Sequence, residues 1–209
     1  MNKKVKFAAV ILAAGMSSRM GRPKQMLRLK GKTMLEHAIT AARGAGIVSP
    51  VLVIGAFADD IMQHTELTKK CETIYNKDYT KGQATSLSVG VEAIKGKCEA
   101  AIFMLADQPL VDAALIIALM KQFKRCRPDI LYPVYKEQRG NPVIVSADLF
   151  PRLINASGDQ GARFLFSDSS LSVHTYDVEN IAVITDIDTW DDYLKAQRLI
   201  SDPAHLQED

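Results

Sequence analysis

The chain offers little to a transition metal or to a disulfide framework. Its three cysteines, Cys71, Cys98 and Cys126, are odd in number, far apart and without a C-x-x-C pair. They read as free, mostly buried thiols of a reducing cytoplasm. The four histidines show no zinc-ligand spacing with one another or with the cysteines. No apolar run of about eighteen residues occurs, so no membrane-spanning helix is expected. A net charge of +2 over 209 residues gives no global reason to expect a nucleic-acid partner. Repeats, low-complexity tracts and linkers are missing too. What is present is 47% hydrophobic content, enough for one substantial core, and residues 1–209 read as one domain. Lysines before an apolar run at the N-terminus resemble a short signal peptide. That run, however, passes into a polar glycine turn and then into ordinary αβ patterning, which favours a folded strand.

Charge is unevenly distributed. Residues 1–35 contain no Asp or Glu but hold Lys3, Lys4, Lys6, Arg19, Arg22, Lys24, Arg28, Lys30 and Lys32. Residues 176–193, YDVENIAVITDIDTWDDY, hold six acids and no base. Two solvated faces of opposite sign would satisfy this pattern. So would a polyanion site and a carboxylate site for a cation, assembled in one cleft.

Short β-rich runs alternate with amphipathic stretches. VKFAAVILA (5–13) is apolar nearly throughout, as a strand covered on both faces must be. Thr33 and Glu36 have capping-box spacing and open a helix through Ala45, closed by Gly46. Strands are expected at PVLVIGA, CETIYN, CEAAIFMLADQP (98–109), DILYPVY, SVHTYDV and IAVIT. Helices are expected near 59–68 and at ATSLSVGVEAIK, DAALIIALMKQF, DQGARFLFSD and TWDDYLKAQRLI. KEQRGNPVIVS predicts a hairpin or antiparallel edge strand. The fold class is therefore α/β: a three-layer αβα, Rossmann-like, mostly parallel sheet with a small antiparallel β insertion around 132–145. Parallel sheets place ligands at the carboxyl ends of their strands, which selects three loops. They are ILAAGMSSRMGRPK after the first strand, NKDYTKGQATSL after the third, and ADQP at the end of the strand at 100–106.

The first loop is not a Walker P-loop, because five residues separate Gly15 from Gly21 and no G-K-[ST] follows. It is not G-x-G-x-x-G either. Yet Ala14, Gly15, Ser17 and Ser18 remove bulk where the backbone turns, so that several N–H groups can face one anion. Arg19 and Lys24 can balance triphosphate charge, with Pro23 restricting the chain just before Lys24. A tight surface loop with incidental charge is the alternative. Asp107, at the tip of a buried strand before a proline, suits a hard cation such as Mg²⁺. Its alternative is a cap for the helix beginning near Asp112. Asp186 and Asp188 alternate on an extended segment and should share a face, with helix capping as the competing role for Asp188 or Thr189. Gly82, Gln83, Ser86 and Leu87 open a helix and need be no more than its capped N-terminus. Asn141 sits in a Gly–Pro turn. Asp159, Gly161 and Arg163 open a helix whose amides can hold phosphate, or simply cap it. Tyr132, Tyr135 and Arg139 fit a β edge better than a platform for a flat ligand.

LAAGMSSRMGRPK resembles the signature L-A-A-G-x-S-x-R-M-G-x-x-K of nucleotidyltransferases that attach a nucleoside monophosphate to a phosphorylated acceptor. Within that superfamily the chain is similar to the molybdenum cofactor cytidylyltransferases. KGQATSLSVGV, LADQPLV, RGNPVIV, GDQGAR and DIDTWDDY all fall in the family's order, along nearly the whole chain. The resemblance implies transfer of CMP from CTP to the phosphate of a molybdopterin-type cofactor, with release of pyrophosphate. It implies Mg²⁺ on Asp107 and Asp188, with Asp186 close behind. It also implies nucleotide contacts from Leu12, Ala13, Ala14, Gly15, Ser17, Arg19, Lys24, Gly82, Gln83 and Ser86. Arg19, Lys24 and Asp107 would carry the catalysis, and Asn141, Asp159 and Gly161 would face the acceptor. LAAG, rather than LAGG, resembles cytidine-using members. Trp190 stands where the family typically has proline, which weakens the carry-over to Asp188. A molybdoenzyme client is the implied recipient. A sugar or alditol phosphate acceptor, or a non-catalytic role in cofactor binding and delivery, are the rival readings.

Overall fold

The computed structural model describes residues 6–64, 66–156 and 162–201. In chain order, β1 (Phe7–Ala13) leads through a long loop to a two-stranded ribbon, β2 (Arg28–Leu29) and β3 (Lys32–Thr33). Then come α1 (Met34–Gly44), β4 (Val51–Ile54), α2 (Ala58–His64) and β5 (Glu72–Tyr75). α3 (Gln83–Ile94), β6 (Ala100–Leu105) and α4 (Ala113–Cys126) follow. The remainder comprises β7 (Ile130–Tyr135), β8 (Gln138–Arg139), β9 (Val143–Ser146), α5 (Phe150–Ile154), β10 (Val173–Asp177) and α6 (Trp190–Ser201). The main sheet runs β5-β4-β1-β6-β9-β7-β10, with β8 paired to β7. Pairing is parallel except at β9 and β8. This is the mostly parallel α/β architecture expected.

β1 lies inside the sheet, between β4 and β6, and its side chains are apolar on both faces. Ala9, Ile11 and Ala13 join Leu35, Ile39 and Ile116 on the α1/α4 side. Val10 and Ala14 join Val53, Leu87 and Val91 on the α3/α5 side. The period of two thus feeds two cores at once, and each fully buried Val, Leu or Ile contributes about 1.5–3 kcal/mol. α1 starts at the expected capping box: Glu36 N donates to Thr33 Oγ1 (3.1 Å), and Thr33 N to Glu36 Oε2 (2.7 Å). Gly46 beyond its end has φ +94°, a conformation glycine adopts without penalty. α3 presses on β1 through Gly90, where an added Cβ would stand 2.5 Å from Val10 Cγ1.

Four expectations change. The reversed strand β9 is not at an edge; it lies between β6 and β7, with Ile144 and Val145 fully buried. The reason is backbone pairing: β9 fills the open hydrogen-bonding sides of both β6 and β7, against Ala100–Phe103 on one side and Ile130–Leu131 on the other. IAVIT is not a strand but a 3-10 turn, Ile181–Ile184. There the Val183 carbonyl accepts from Asn141 N (2.8 Å) instead of from a neighbouring strand. The cysteines are free, as expected, but Cys71, Cys98 and Cys126 are half-buried rather than mostly buried. DQGARFLFSD falls partly outside the described residues, and its described part is a 3-10 turn, Arg163–Ser167. Among the described residues, no helix is long and apolar enough to cross a membrane.

Candidate active site

The loop after β1 is curled by its own backbone. Met20 N and Gly21 N both donate to Ser17 O (3.0 and 3.2 Å), and Ser17 and Gly21 take positive φ. Gln25 is buried beneath the loop, its Nε2 donating to Gly15 O (3.3 Å) and weakly to Ala13 O (3.4 Å). Lys24 N meets Ser17 Oγ at 3.3 Å. This pinning aims the Lys24 side chain inward, where Nζ lies 2.6 Å from Asp107 Oδ2 and 2.6 Å from Asp188 Oδ1. Arg19 Nη1 reaches Asp188 Oδ2 at 2.7 Å. Cations from the start of the chain and carboxylates from its middle and end therefore meet at one point.

The carboxylates are held by separate devices. Asp107 follows β6, and its carbonyl accepts from Ile187 N (3.0 Å), which fastens the 186–188 segment beside it. Asp107 does not cap α4; Asp112 does, accepting from Leu115 N (2.8 Å). Nor does Asp188 cap α6. That role falls to Thr189 and Asp192, with Thr189 N donating to Asp192 Oδ2 (2.9 Å) and Asp192 N to Thr189 Oγ1 (3.2 Å). Asp188 is thereby left to face the cations. Ile187 is buried between Asp186 and Asp188, as alternation requires, but the two acids serve different neighbours. Asp186 accepts from Gln108 Nε2 at 2.7 Å.

Burial works against the Lys24 ammonium, but the Asp107 and Asp188 carboxylates outweigh it and hold its pKa above the usual lysine value. The Lys24 hydrogen bond, aided by the charges of Lys24 and Arg19, draws Asp188 below the usual carboxylate range. Asp186 is pushed up, first by burial and then by the negative charge of Asp107.

Two adjoining cavities open at the strand tips. The first, about 500 Å³, is lined by Leu12, Ala14, Gly15, Ser17, Arg19, Lys24, Gly82, Gln83, Ser86, Asp107 and Asp188. Ala13 is the exception among the expected nucleotide residues. It is buried in the core and contributes only its carbonyl to Gln25. The second cavity, about 350 Å³, shares Leu12, Gln83 and Leu105 with the first and adds Gln108, Arg139, Asn141, Arg163, Phe166 and Asp186. Asn141, expected to face the acceptor, lines this second cavity, whereas Asp159 and Gly161 lie outside the described residues. Tyr132 packs edge-on against Phe166 (5.3 Å between centroids), and the Arg139 guanidinium lies 4.1 Å from the Phe166 ring centroid.

Sequence reasoning missed three buried amides. Gln25 pins the first loop. Asn76 donates to Thr85 Oγ1 and Ser86 Oγ (2.9 Å each) and so orders the first turn of α3. Gln108 links Asp107 to Asp186. Each adjoins a motif, and its type, a neutral amide beside a ligand loop, is the one available signal. Among the described residues no group of three or more His, Cys, Asp or Glu is arranged to hold a metal ion. Asp107 and Asp188 alone would anchor one, leaving its other positions to ligand oxygens and water, the habit of Mg²⁺.

The sequence profile of the MobA-like NTP transferase domain matches residues 9–175. The chain belongs to that family. It is 28% identical over 192 residues to the molybdenum cofactor cytidylyltransferase of Escherichia coli (strain K12), covering 90% of this chain and 94% of that one. It is 29% identical over 189 residues to the nicotine blue oxidoreductase of Paenarthrobacter nicotinovorans, covering 86% and 91%. The crystal structure of Rv0371c from Mycobacterium tuberculosis H37Rv superposes with a TM-score of 0.83 at 27% identity, covering 93% of this chain and 98% of that one. A manganese complex of Rv0371c gives 0.78 at 26%, covering 92% and 98%. In this MobA-like transferase the matched span includes Arg19, Lys24, Asp107 and Asn141, and stops short of Asp186 and Asp188.

Proposed function

We propose that the protein is a cytidylyltransferase of one domain. It transfers CMP from CTP to the phosphate of a molybdopterin-type cofactor and releases pyrophosphate. The observation that carries this reading is the meeting of Lys24, Arg19, Asp107 and Asp188 in a cleft at the strand tips, beside a second cavity with its own arginines. The similarity to the E. coli cytidylyltransferase supports the acceptor, and the LAAG loop supports the base. The half-buried free thiols suit the cytoplasm, and a molybdoenzyme is the proposed recipient of the product.

The reacting oxygen is a phosphate oxygen of the acceptor, which bonds to the α-phosphorus of CTP while the α–β bridging P–O bond breaks. The leaving electron pair departs with pyrophosphate. A phosphomonoester has its second pKa at about 6 and is already dianionic at neutral pH, so no general base is needed. No histidine lines the first cavity, and its two carboxylates, Asp107 and Asp188, already face Lys24. The loop 14–18 offers amides to the triphosphate, and Lys24 and Arg19 neutralise charge as it shifts to the leaving group. The first turn of α3, ordered by Asn76, forms the wall against the nucleoside. Arg139, Arg163 and Asn141 orient the acceptor. The two carboxylates fit a hard divalent cation, because Asp107 Oδ1 is buried without a hydrogen-bond partner and both donors are oxygens. When bound there, Mg²⁺ supplies positive charge to the triphosphate and the departing pyrophosphate.

The test is to incubate the protein with Mg²⁺, each of the four NTPs and molybdenum cofactor, and to measure pyrophosphate and nucleotide-bearing pterin. CTP-dependent formation of both is expected. Release of pyrophosphate only with a sugar or alditol phosphate would replace the acceptor, and binding without release would leave a carrier. The similarity to nicotine blue oxidoreductase favours redox turnover as a second reading. The absence of G-x-G-x-x-G after β1 speaks against a dinucleotide loop, and such an enzyme would release no pyrophosphate.

A further inference from the structure

We propose that Lys24 and the divalent cation compete for the same carboxylate pair, so that loading the metal hands Lys24 over to the triphosphate. This rests on the reading of the cleft as a metal-dependent nucleotidyltransferase site and concerns how that site is filled. The Lys24 ammonium spans Asp107 Oδ2 and Asp188 Oδ1 at 2.6 Å each, while Arg19 takes the other oxygen of Asp188. Of the four oxygens of these two carboxylates, Asp107 Oδ1 alone lacks a partner among the described residues, and it is buried. A cation that binds both carboxylates must therefore meet an ammonium already on them. Mg²⁺ bonds oxygen at about 2.0–2.1 Å, so a shared position would set two positive centres against each other within a few ångströms.

Lys24 is tethered close by, through the 3.3 Å contact of its N–H with Ser17 Oγ and through buried Gln25. Displaced from the carboxylates, its side chain stays in the first cavity, where Gly15 and Ser17 also lie. A triphosphate there gives it a new partner. The metal should accordingly bind the free protein weakly and enter together with the nucleotide.

The experiment titrates Mn²⁺, followed by its EPR signal, into nucleotide-free wild type, Lys24→Gln, Asp107→Asn and the Lys24→Gln/Asp107→Asn double variant. Lys24→Gln should bind Mn²⁺ about fivefold or more tightly than wild type, since two partly exposed ion pairs no longer have to break. Asp107→Asn should weaken binding in both backgrounds. A second measurement needs only wild type: acylation of the Lys24 amine, read by peptide mass spectrometry, should rise severalfold with Mn²⁺ and fall again when a non-hydrolysable CTP analogue is added. If Lys24→Gln and wild type bind Mn²⁺ equally while Asp107→Asn weakens both, the competition is overturned and the metal site stands. Unchanged Lys24 acylation with Mn²⁺ bound overturns it as well, whatever the folding of the variant. If Asp107→Asn leaves Mn²⁺ binding untouched, the metal-site reading fails and the competition with it.

Discussion

Gly90→Ala sets helix propensity against packing. In an exposed helix, alanine would stabilise relative to glycine by about 0.8–1.0 kcal/mol. Here the new Cβ would sit 2.5 Å from Val10 Cγ1 and 3.2 Å from Val53 Cγ2. Val10 is fully buried and β-branched on an internal strand, so its methyl has no free rotamer to retreat into. Overpacking of this kind costs about 1–3 kcal/mol. A 2.5 Å approach puts the cost in the upper part of that range, about 2–3 kcal/mol, so a net loss of about 1–2 kcal/mol is expected. At about 2–4 °C per kcal/mol for a chain of this length, the midpoint should fall by roughly 2–8 °C. Circular dichroism melts and urea titrations measure it. Val10→Ala should interact favourably with Gly90→Ala, the double variant losing less than the sum of the singles by about 1 kcal/mol. A Gly90→Ala protein as stable as wild type, or more so, would refute the close approach of α3 to β1.

Lys24→Ala should lower kcat/KM for CTP by about 10²–10³, the usual cost of one electrostatic contact in a transition state, and a change within twofold in a pyrophosphate-release assay would make the lysine a surface charge. Asp107→Ala should abolish metal-dependent transfer while leaving the circular dichroism spectrum intact; near-normal turnover would end its assignment as metal ligand. Because the folded pKa of Asp188 is lowered, its contribution to stability is present above its unfolded value of about 3.9 and is lost as pH falls through the depressed folded value. Asp188→Asn should therefore differ from wild type in thermal midpoint at neutral pH and converge with it on acidification below that range. Burial pushes the Cys71 thiol up to about 11. Alkylation of Cys71 by iodoacetamide near pH 8 should be about 100-fold slower than that of free cysteine, as peptide mass spectrometry would show.

The parallel core was legible because its signals are local. Apolar continuity marked β1, capping-box spacing marked α1, and Asp107 stood at the tip of a readable strand. The strand-tip rule then brought Gly15, Lys24, Gly82 and Asp107 to one edge before any distance was known. Less legible was whatever depends on a distant partner. Alternation in IAVIT is the same for a strand as for a turn whose carbonyl serves Asn141, and nothing within the segment distinguishes them. β9 announced its antiparallel sense through the turn before it, while its internal place depended on β6 and β7 both requiring a neighbour. Gln25, Asn76 and Gln108 have ordinary polar side chains in sequence and become structural only where ligand loops need buried partners. α5, five residues long, is too short to show a period.

The reversal of β9 divides the molecule's freedom to change. A strand running against its neighbours delivers its preceding loop, not its following one, to the ligand edge, which is how Gly140 and Asn141 arrive beside the second cavity. That loop joins β7 to β9, and its backbone N–H groups donate to Pro133 O and Val183 O rather than to the groups around Lys24. On the proposed reading, that loop can change while the groups around Lys24 keep their bonds, so one chemistry can be offered to a succession of different recipients.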